Sequence, residues 1–349
     1  MTTPDAERRV LKEPKSDETG LPAARELCWV GALLAALLLL FFSTPILRRE
    51  VLSPADLLLK SDPWRKSAPP DFEASNALLS DYVYQMRPYR VFTIASLKAG
   101  RIPLWDPHNY AGAPLLGNGI SGVLYPLNLL FLVLPEAPAV LLSAKIRLFI
   151  AGFSAYTFGR LIGLSVLGAG MSSLGFVFSG FLIVWLLYPQ VDVAIWLPAL
   201  FLAGEAIVRR PLISRILMLA VVVWIQFLGG HPETSLHILS AVTLYVCWRA
   251  GMIFTGERDW RRLGHRLVTF VVALILGTAG AAVQLVPLGE FILKSATLLE
   301  RLAVAPPLWF LPRPRLLAMI ALSAPIASAV TCGATSLWES SSEWATSMS

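Results

Sequence analysis

Charge is scarce in this chain. Only 15% of its 349 residues are Asp, Glu, Lys or Arg, against 56% that are hydrophobic. A water-soluble domain needs more charge than that, and it does not carry repeated apolar runs of about 20 residues. The shortage excludes a soluble enzyme and leaves a polytopic membrane protein. Cysteine is rarer still. Cys28, Cys247 and Cys332 are scattered with no CxxC spacing, so they provide neither a disulfide framework nor a zinc-ligand set and read as buried, inert thiols. A glycine-rich phosphate loop and a DxD segment for a nucleotide sugar are also missing, which disfavours a soluble nucleotide-sugar donor. The net charge of +6 does not point to nucleic acid, because the basic residues concentrate between apolar runs, as they do where cytoplasmic loops face anionic lipid.

What the chain does have is apolar runs. Residues 1–26 are polar and read as a disordered cytoplasmic tail. The run Leu27–Leu47 is long enough to span and is followed by no small-x-small cleavage site, so it reads as a retained helix. Further runs lie at Ala137–Leu161, Leu164–Tyr188, Val193–Val208, Leu212–Leu228, Leu236–Trp248 and Leu267–Leu288. The expected fold is therefore an all-α polytopic membrane protein of about seven or eight spans. Arginines set its orientation. "RRPLISR" after Val208 and "RAGMIFTGERDWRRLGHR" after Trp248 should be cytoplasmic, whereas "YPQVD" (188–192) and "GGHPETS" (229–235) hold no Lys or Arg and should face outward. Counting back puts the N-terminus in the cytoplasm and residues 48–136 outside, in a loop of about 90 residues, a length that in a compact membrane protein marks a functional element.

Two parts of this first outer loop look ordered. Leu79, Val83, Met86, Ile94 and Leu97 recur at roughly helical spacing, with Gly100 placed to cap the end. Pro88 should break or kink that helix, giving one helix or two short ones. Residues 123–134, "VLYPLNLLFLVL", are too short to cross the bilayer alone and should be re-entrant, lie in the interface or extend the next helix. Between these stretches, Gly100–Pro126 has five glycines and four prolines, the mark of a shaped loop.

The outer loop also holds the candidate site. Asp81 and Gln85 are four residues apart and share a helical face. A carboxylate at the outer membrane surface can serve as a general base or a divalent-cation ligand, and it can equally be the charge that a helix N-terminus favours. Arg87 and Arg90 can contact lipid headgroups. Trp105 and Tyr110 suit sugar stacking or an interfacial belt; Asp106 and His108 lie beside them. His231 and Glu233 in "GGHPETS" offer either a helix cap, from Glu233 and Thr234, or a second polar cluster facing the site. Interfacial solvation accounts for Gln284 and Glu290. Lys145, Arg147 and Glu205 are the main ionisable residues within spans, and Lys145 and Arg147 either snorkel or point into the cavity.

The stretch "SDYVYQMRPYR…LKAGRIPLWDPHNYAGAPLLGNGISGVLYPLNLL", with "GGHPETS" and "AAVQLVPLGEFILKS" further on, resembles the bacterial YfhO-like membrane proteins, grouped with the GT-C superfamily of glycosyltransferases. The matching positions are Asp81, Gln85, Pro88, Gly100, Pro103–Pro107, Gly112–Pro114 and Tyr125–Pro126, within a resemblance covering residues 27–302. It implies a GT-C-like fold whose large first outer loop carries short amphipathic helices. It also implies transfer of a sugar from a polyprenyl-phosphate donor to an envelope glycopolymer or lipid acceptor outside a bacterial inner membrane. Asp81 carries over as base or as ligand to a divalent cation such as Mg or Mn. For Arg87 and Arg90 the resemblance implies stabilisation of a leaving phosphate. Asp106 stands where the family often has asparagine, so its catalytic role does not carry over. A non-enzymatic transporter or envelope-assembly protein is the competing expectation. Residues 303–349 lose the family's motifs and read as an atypical tail, with Ala318–Val330 apolar enough for one further helix. A truncated or frameshifted, inactive homologue is the expectation for such a tail.

Overall fold

The computed structural model describes residues 22–48, 50–74, 76–109 and 111–295. The chain divides into two compact units, residues 1–291 and 292–349; of the second, only the short stretch 292–295 is described, mostly the last turn of a helix. Cys332, the tail 303–349 and its expected helix lie outside the described residues.

Helices dominate. The first is α1 (Ala24–Phe41), followed by the short α2 (Ser43–Arg48). The loop that follows holds 3-10 turns and α3 (Arg87–Lys98), then a two-residue ladder of β1 (Trp105–Asp106) and antiparallel β2 (Ala113–Pro114). After α4 (Leu130–Val133) come α5 (Glu136–Leu161), α6 (Val166–Val177) and α7 (Gly180–Val184). The rest is α8 (Pro189–Ala194), α9 (Leu197–Arg209), α10 (Ile213–Leu228), α11 (Pro232–Glu257), α12 (Trp260–Gly280) and α13 (Ala282–Lys294).

Among the described residues, six helical segments are long and apolar enough to cross a membrane: α1, α5, α6 with α7, α8 with α9, α11 and α12. At 16 residues, α10 is shorter. Two of the six are interrupted. α6 stops at Phe178 and Ser179 caps α7, accepting from the Leu182 N–H; α8 stops at Ile195, and Pro198, which has no N–H to give, opens α9. The expected run Leu267–Leu288 is also divided, with α12 ending at Ala281 and α13 carrying Pro287 inside it.

α9 is the hub and packs against α5, α10, α11 and α12. In lipid the apolar surface of a helix gains little by leaving its surroundings, so close backbone approach and interhelical hydrogen bonds do more of the work. At Gly277 a Cβ would lie 2.6 Å from the Ala220 carbonyl oxygen, so α12 can meet α10 only because the residue is glycine. At Gly152 a Cβ would meet Val177 and Leu34, and the Ser173 hydroxyl donates to the Gly152 carbonyl at 2.7 Å. α1 is mostly uncovered, and Cys28 and Cys247 are exposed rather than buried. That corrects the expectation for these two thiols: their helices turn them outward to the lipid-facing surface.

The two ends of the bundle are chemically distinct. At one, Arg160 at the end of α5 bonds Glu26 at the start of α1 (2.7 Å), while Arg209 and Arg249 bond Glu205 and Arg266 bonds Glu257. At the other, the loop 42–135 packs on the bundle. The Tyr188 hydroxyl donates to the Leu78 carbonyl and accepts from the Tyr82 N–H, both at 3.2 Å. The Tyr125 hydroxyl, which burial keeps protonated well above its ordinary range, donates to the Asp192 carbonyl at 3.0 Å. Residues 123–134 neither cross nor extend α5. They form a 3-10 turn (Pro126–Leu129) and α4, separated from α5 by Leu134 and Pro135.

Candidate functional site

The stretch that carries Asp81, Gln85 and Pro88 is one helical run from Ser80 to Lys98, not two helices. In an α-helix the Pro88 ring would strike the carbonyl of Tyr84 and leave a bond unmade. The chain avoids this with a wide turn, Tyr82–Met86, closed by the Arg87 N–H on the Tyr82 carbonyl. Such π-type turns gather at functional sites. At the far end Gly100, at φ +70°, lets the Arg101 N–H reach back to Ser96 and its own N–H reach Leu97, a glycine-closed helix end as its position implied.

Against this helix lies the β1–β2 hairpin. Trp105 lies over Gly112, where a Cβ would be 2.4 Å from the indole nitrogen, and the indole is half exposed. Asp106 is buried, and its Oδ1 accepts the His108 N–H at 2.9 Å, fixing the turn. The His108 ring meets Phe92 edge-on at 5.4 Å. Helix and hairpin enclose an open cleft of about 620 Å³ whose lining includes Gln85, Arg87, Tyr89, Asp106, His108 and Asn109. The Gln85 and Asn109 amides both donate to the Tyr89 hydroxyl, at 3.2 and 3.1 Å. With both acceptor positions used, that hydroxyl keeps its own proton to donate. Arg87 reaches out of the cleft to hold Glu136 through two bonds of 2.6 and 2.8 Å, and this partner raises its pKa further.

The structure thus brings together Gln85, Arg87, Asp106 and His108 and leaves other expected residues elsewhere. Asp81 is exposed, makes no capping bond to the wide turn, and does not line the cleft. It lies close enough to Tyr188 to add to the effect of burial, which raises that phenol's pKa. Arg90 lies on the other flank of α3, over the Phe131 ring. Tyr110 lies outside the described residues. His231 and Glu233 are not at the cleft. The capping expected of Glu233 and Thr234 is done by His231, whose Nδ1 accepts the Thr234 N–H at 3.3 Å; Glu233 is exposed in the first turn of α11. Burial lowers the His231 pKa, which suits a neutral acceptor.

Tyr89, Asn109 and Phe92 were not singled out by sequence reasoning, although Tyr89 sits in "MRPYR" and Asn109 in "DPHNY". Nor was the junction beneath the loop. Gly230, at φ +78°, touches the backbone of Gly122, so that a Cβ there would be 2.9 Å from the Gly122 nitrogen. Gln284 is buried rather than solvated and donates to the Leu116 carbonyl at 2.7 Å. The glycine-rich loop, "GGHPETS" and the start of α13 therefore meet in one place. Among the described residues, no three His, Cys, Asp or Glu side chains come together as a metal site. Comparison with known proteins gives no match to a family model, to a curated protein or to a solved structure.

Proposed function

We propose that this chain is a membrane glycosyltransferase of the GT-C type, passing a sugar from a polyprenyl-phosphate donor to an extracytoplasmic envelope acceptor. One observation carries the reading: Gln85, Arg87, Asp106 and His108, picked from two separate sequence motifs, line a single cleft on the loop. Its amides, phenol and imidazole edge suit a hydroxyl-rich ligand. In the proposed reaction a carboxylate takes the acceptor hydroxyl's proton and the oxygen attacks the anomeric carbon. The phosphate then departs with the bonding pair beside Arg87, the arginine that lines the cleft. Asp81 is the proposed base; it is exposed, outside the cleft lining, and four positions before Gln85 on the same helical run. Asp106 lines the cleft, but its Oδ1 is occupied by the His108 N–H.

The membrane reading includes α10 as a seventh crossing. It begins beside Arg209 and Arg210 at the basic end and finishes at Gly229–Gly230, against the loop. The positive-inside rule favours the basic end as the cytoplasmic one, with the N-terminus inside, and the family resemblance implies a bacterial inner membrane.

The test is envelope glycan composition in cells carrying Asp81→Asn or Asp106→Asn at matched protein levels. Loss of transfer in Asp81→Asn alone supports the assignment. Loss in Asp106→Asn alone moves the base into the cleft, and unchanged glycans in both remove the enzymatic reading. One observation favours transport as a second reading. Arg147, about 16 Å along α5, is buried in an ion pair with Asp192 of the interrupted α8–α9 segment. Buried charge and broken helices are features of transporter sites.

A further inference from the structure

α3 has a second groove on its other flank, of about 310 Å³, between the helix and residues 131–136. Six of its nine lining residues are apolar, among them Ile94, Phe131 and Leu134; the other three are Arg90, Lys98 and Glu136. Glu136 is neutralised by its two bonds to Arg87. What remains is a pair of cations eight positions apart on one helix, over an apolar floor. Arg90 is held in place, its guanidinium 4.7 Å from the Phe131 ring centre and 3.4 Å from the Tyr82 hydroxyl. A guanidinium has five N–H donors, and this hydrogen bond uses one.

The groove's depth follows from α5. Its 26 residues make a rod about 39 Å long, against a hydrocarbon layer of about 30 Å. Glu136 opens that helix and so stands in the headgroup layer. Beside it Leu129 and Val133 are apolar and exposed, Val133 by 79%, as side chains in contact with lipid would be.

We infer that this groove seats an anionic glycerophospholipid of the bilayer, with its phosphate between Arg90 and Lys98 and its chains along Ile94, Phe131 and Leu134. Free phosphate would gain nothing from the apolar walls. The inference needs the membrane reading and is independent of glycosyl transfer, so either can fail without the other. The experiment uses the full chain in nanodiscs of mixed phosphatidylglycerol and phosphatidylcholine, with retained lipid measured by mass spectrometry after detergent extraction. Phosphatidylglycerol is expected to be enriched, with the enrichment falling about five-fold for each of Lys98→Gln and Arg90→Gln. Soluble glycerophosphate should not displace it. Lys98 is exposed, so Lys98→Gln decides the matter if Arg90→Gln does not fold. Equal retention of the two lipids, enrichment unchanged in Lys98→Gln, displacement by glycerophosphate, or preferential retention of polyprenyl phosphate would each overturn the assignment.

Discussion

The two ends of the bundle treat buried charge differently. At the basic end Glu205 is fully buried and satisfied. It accepts from Arg209 at 2.8 Å, twice from Arg249 at 2.6 and 2.9 Å, and from the Tyr245 hydroxyl at 2.9 Å. Its two arginines are partly exposed, at 35% and 22%, so they can reach water or lipid phosphate. Under the loop the arrangement is reversed. Arg147 and Asp192 are both buried, and Arg147 also donates to the Leu186 carbonyl at 3.3 Å, while its Nη2 has no partner among the described residues. Gln226, Asn128 and Gln284 have unpartnered buried atoms too. The basic end is a finished fastening, whereas the described residues beneath the loop hold buried polar atoms without a protein partner.

The largest expected effect breaks the loop-end pair. Asp192→Asn leaves Arg147 buried without a counter-charge and should cost about 3–5 kcal/mol. Glu205→Gln leaves two arginines that can rehydrate and should cost only about 1–3 kcal/mol. Thermal unfolding of the purified protein in one detergent checks the order, and equal losses would erase the contrast. Next comes Gly230→Ala, which places a Cβ at positive φ against the Gly122 backbone. A loss of about 1–3 kcal/mol is expected, with faster hydrogen exchange in residues 115–125 and no change at the basic end. The smallest effect is pH-dependent. The His231 pKa is lowered in the folded state, so the unfolded chain binds the proton first. Stability is then full above the ordinary histidine value of about 6.5 and falls as the pH drops through it toward the lowered one. His231→Asn keeps a capping acceptor and should flatten that slope in melts between pH 7.5 and 5.

The helices were legible in the sequence because apolar runs and arginine placement are local signals. Leu27–Leu47 and Ala137–Leu161 lie close to α1 and α5. The interruptions at Ser179 and Ile195 were not legible, since apolar composition continues across both. Half of the cleft was visible: Gln85, Arg87, Asp106 and His108 carry obvious polar chemistry. Tyr89 and Asn109 were overlooked because their importance comes from meeting each other across 20 positions. Gln284 was misread for the same reason, its partner Leu116 being 168 residues away. Pro88 signals a break or a kink in the sequence without deciding between one helix and two, and the chain absorbs it with a wide turn in one helical run.

Under the proposed function the loop end carries the glycosyl transfer, while the basic end fastens the bundle through Glu205. The direct test is envelope glycosyl transfer in cells carrying Gln85→Ala or Glu205→Gln, at equal amounts of protein in the membrane. Gln85→Ala should reduce transfer by about 10- to 100-fold through lost positioning in the cleft, while Glu205→Gln should leave it near wild type. Full transfer by Gln85→Ala, with loss in Glu205→Gln, would contradict the account.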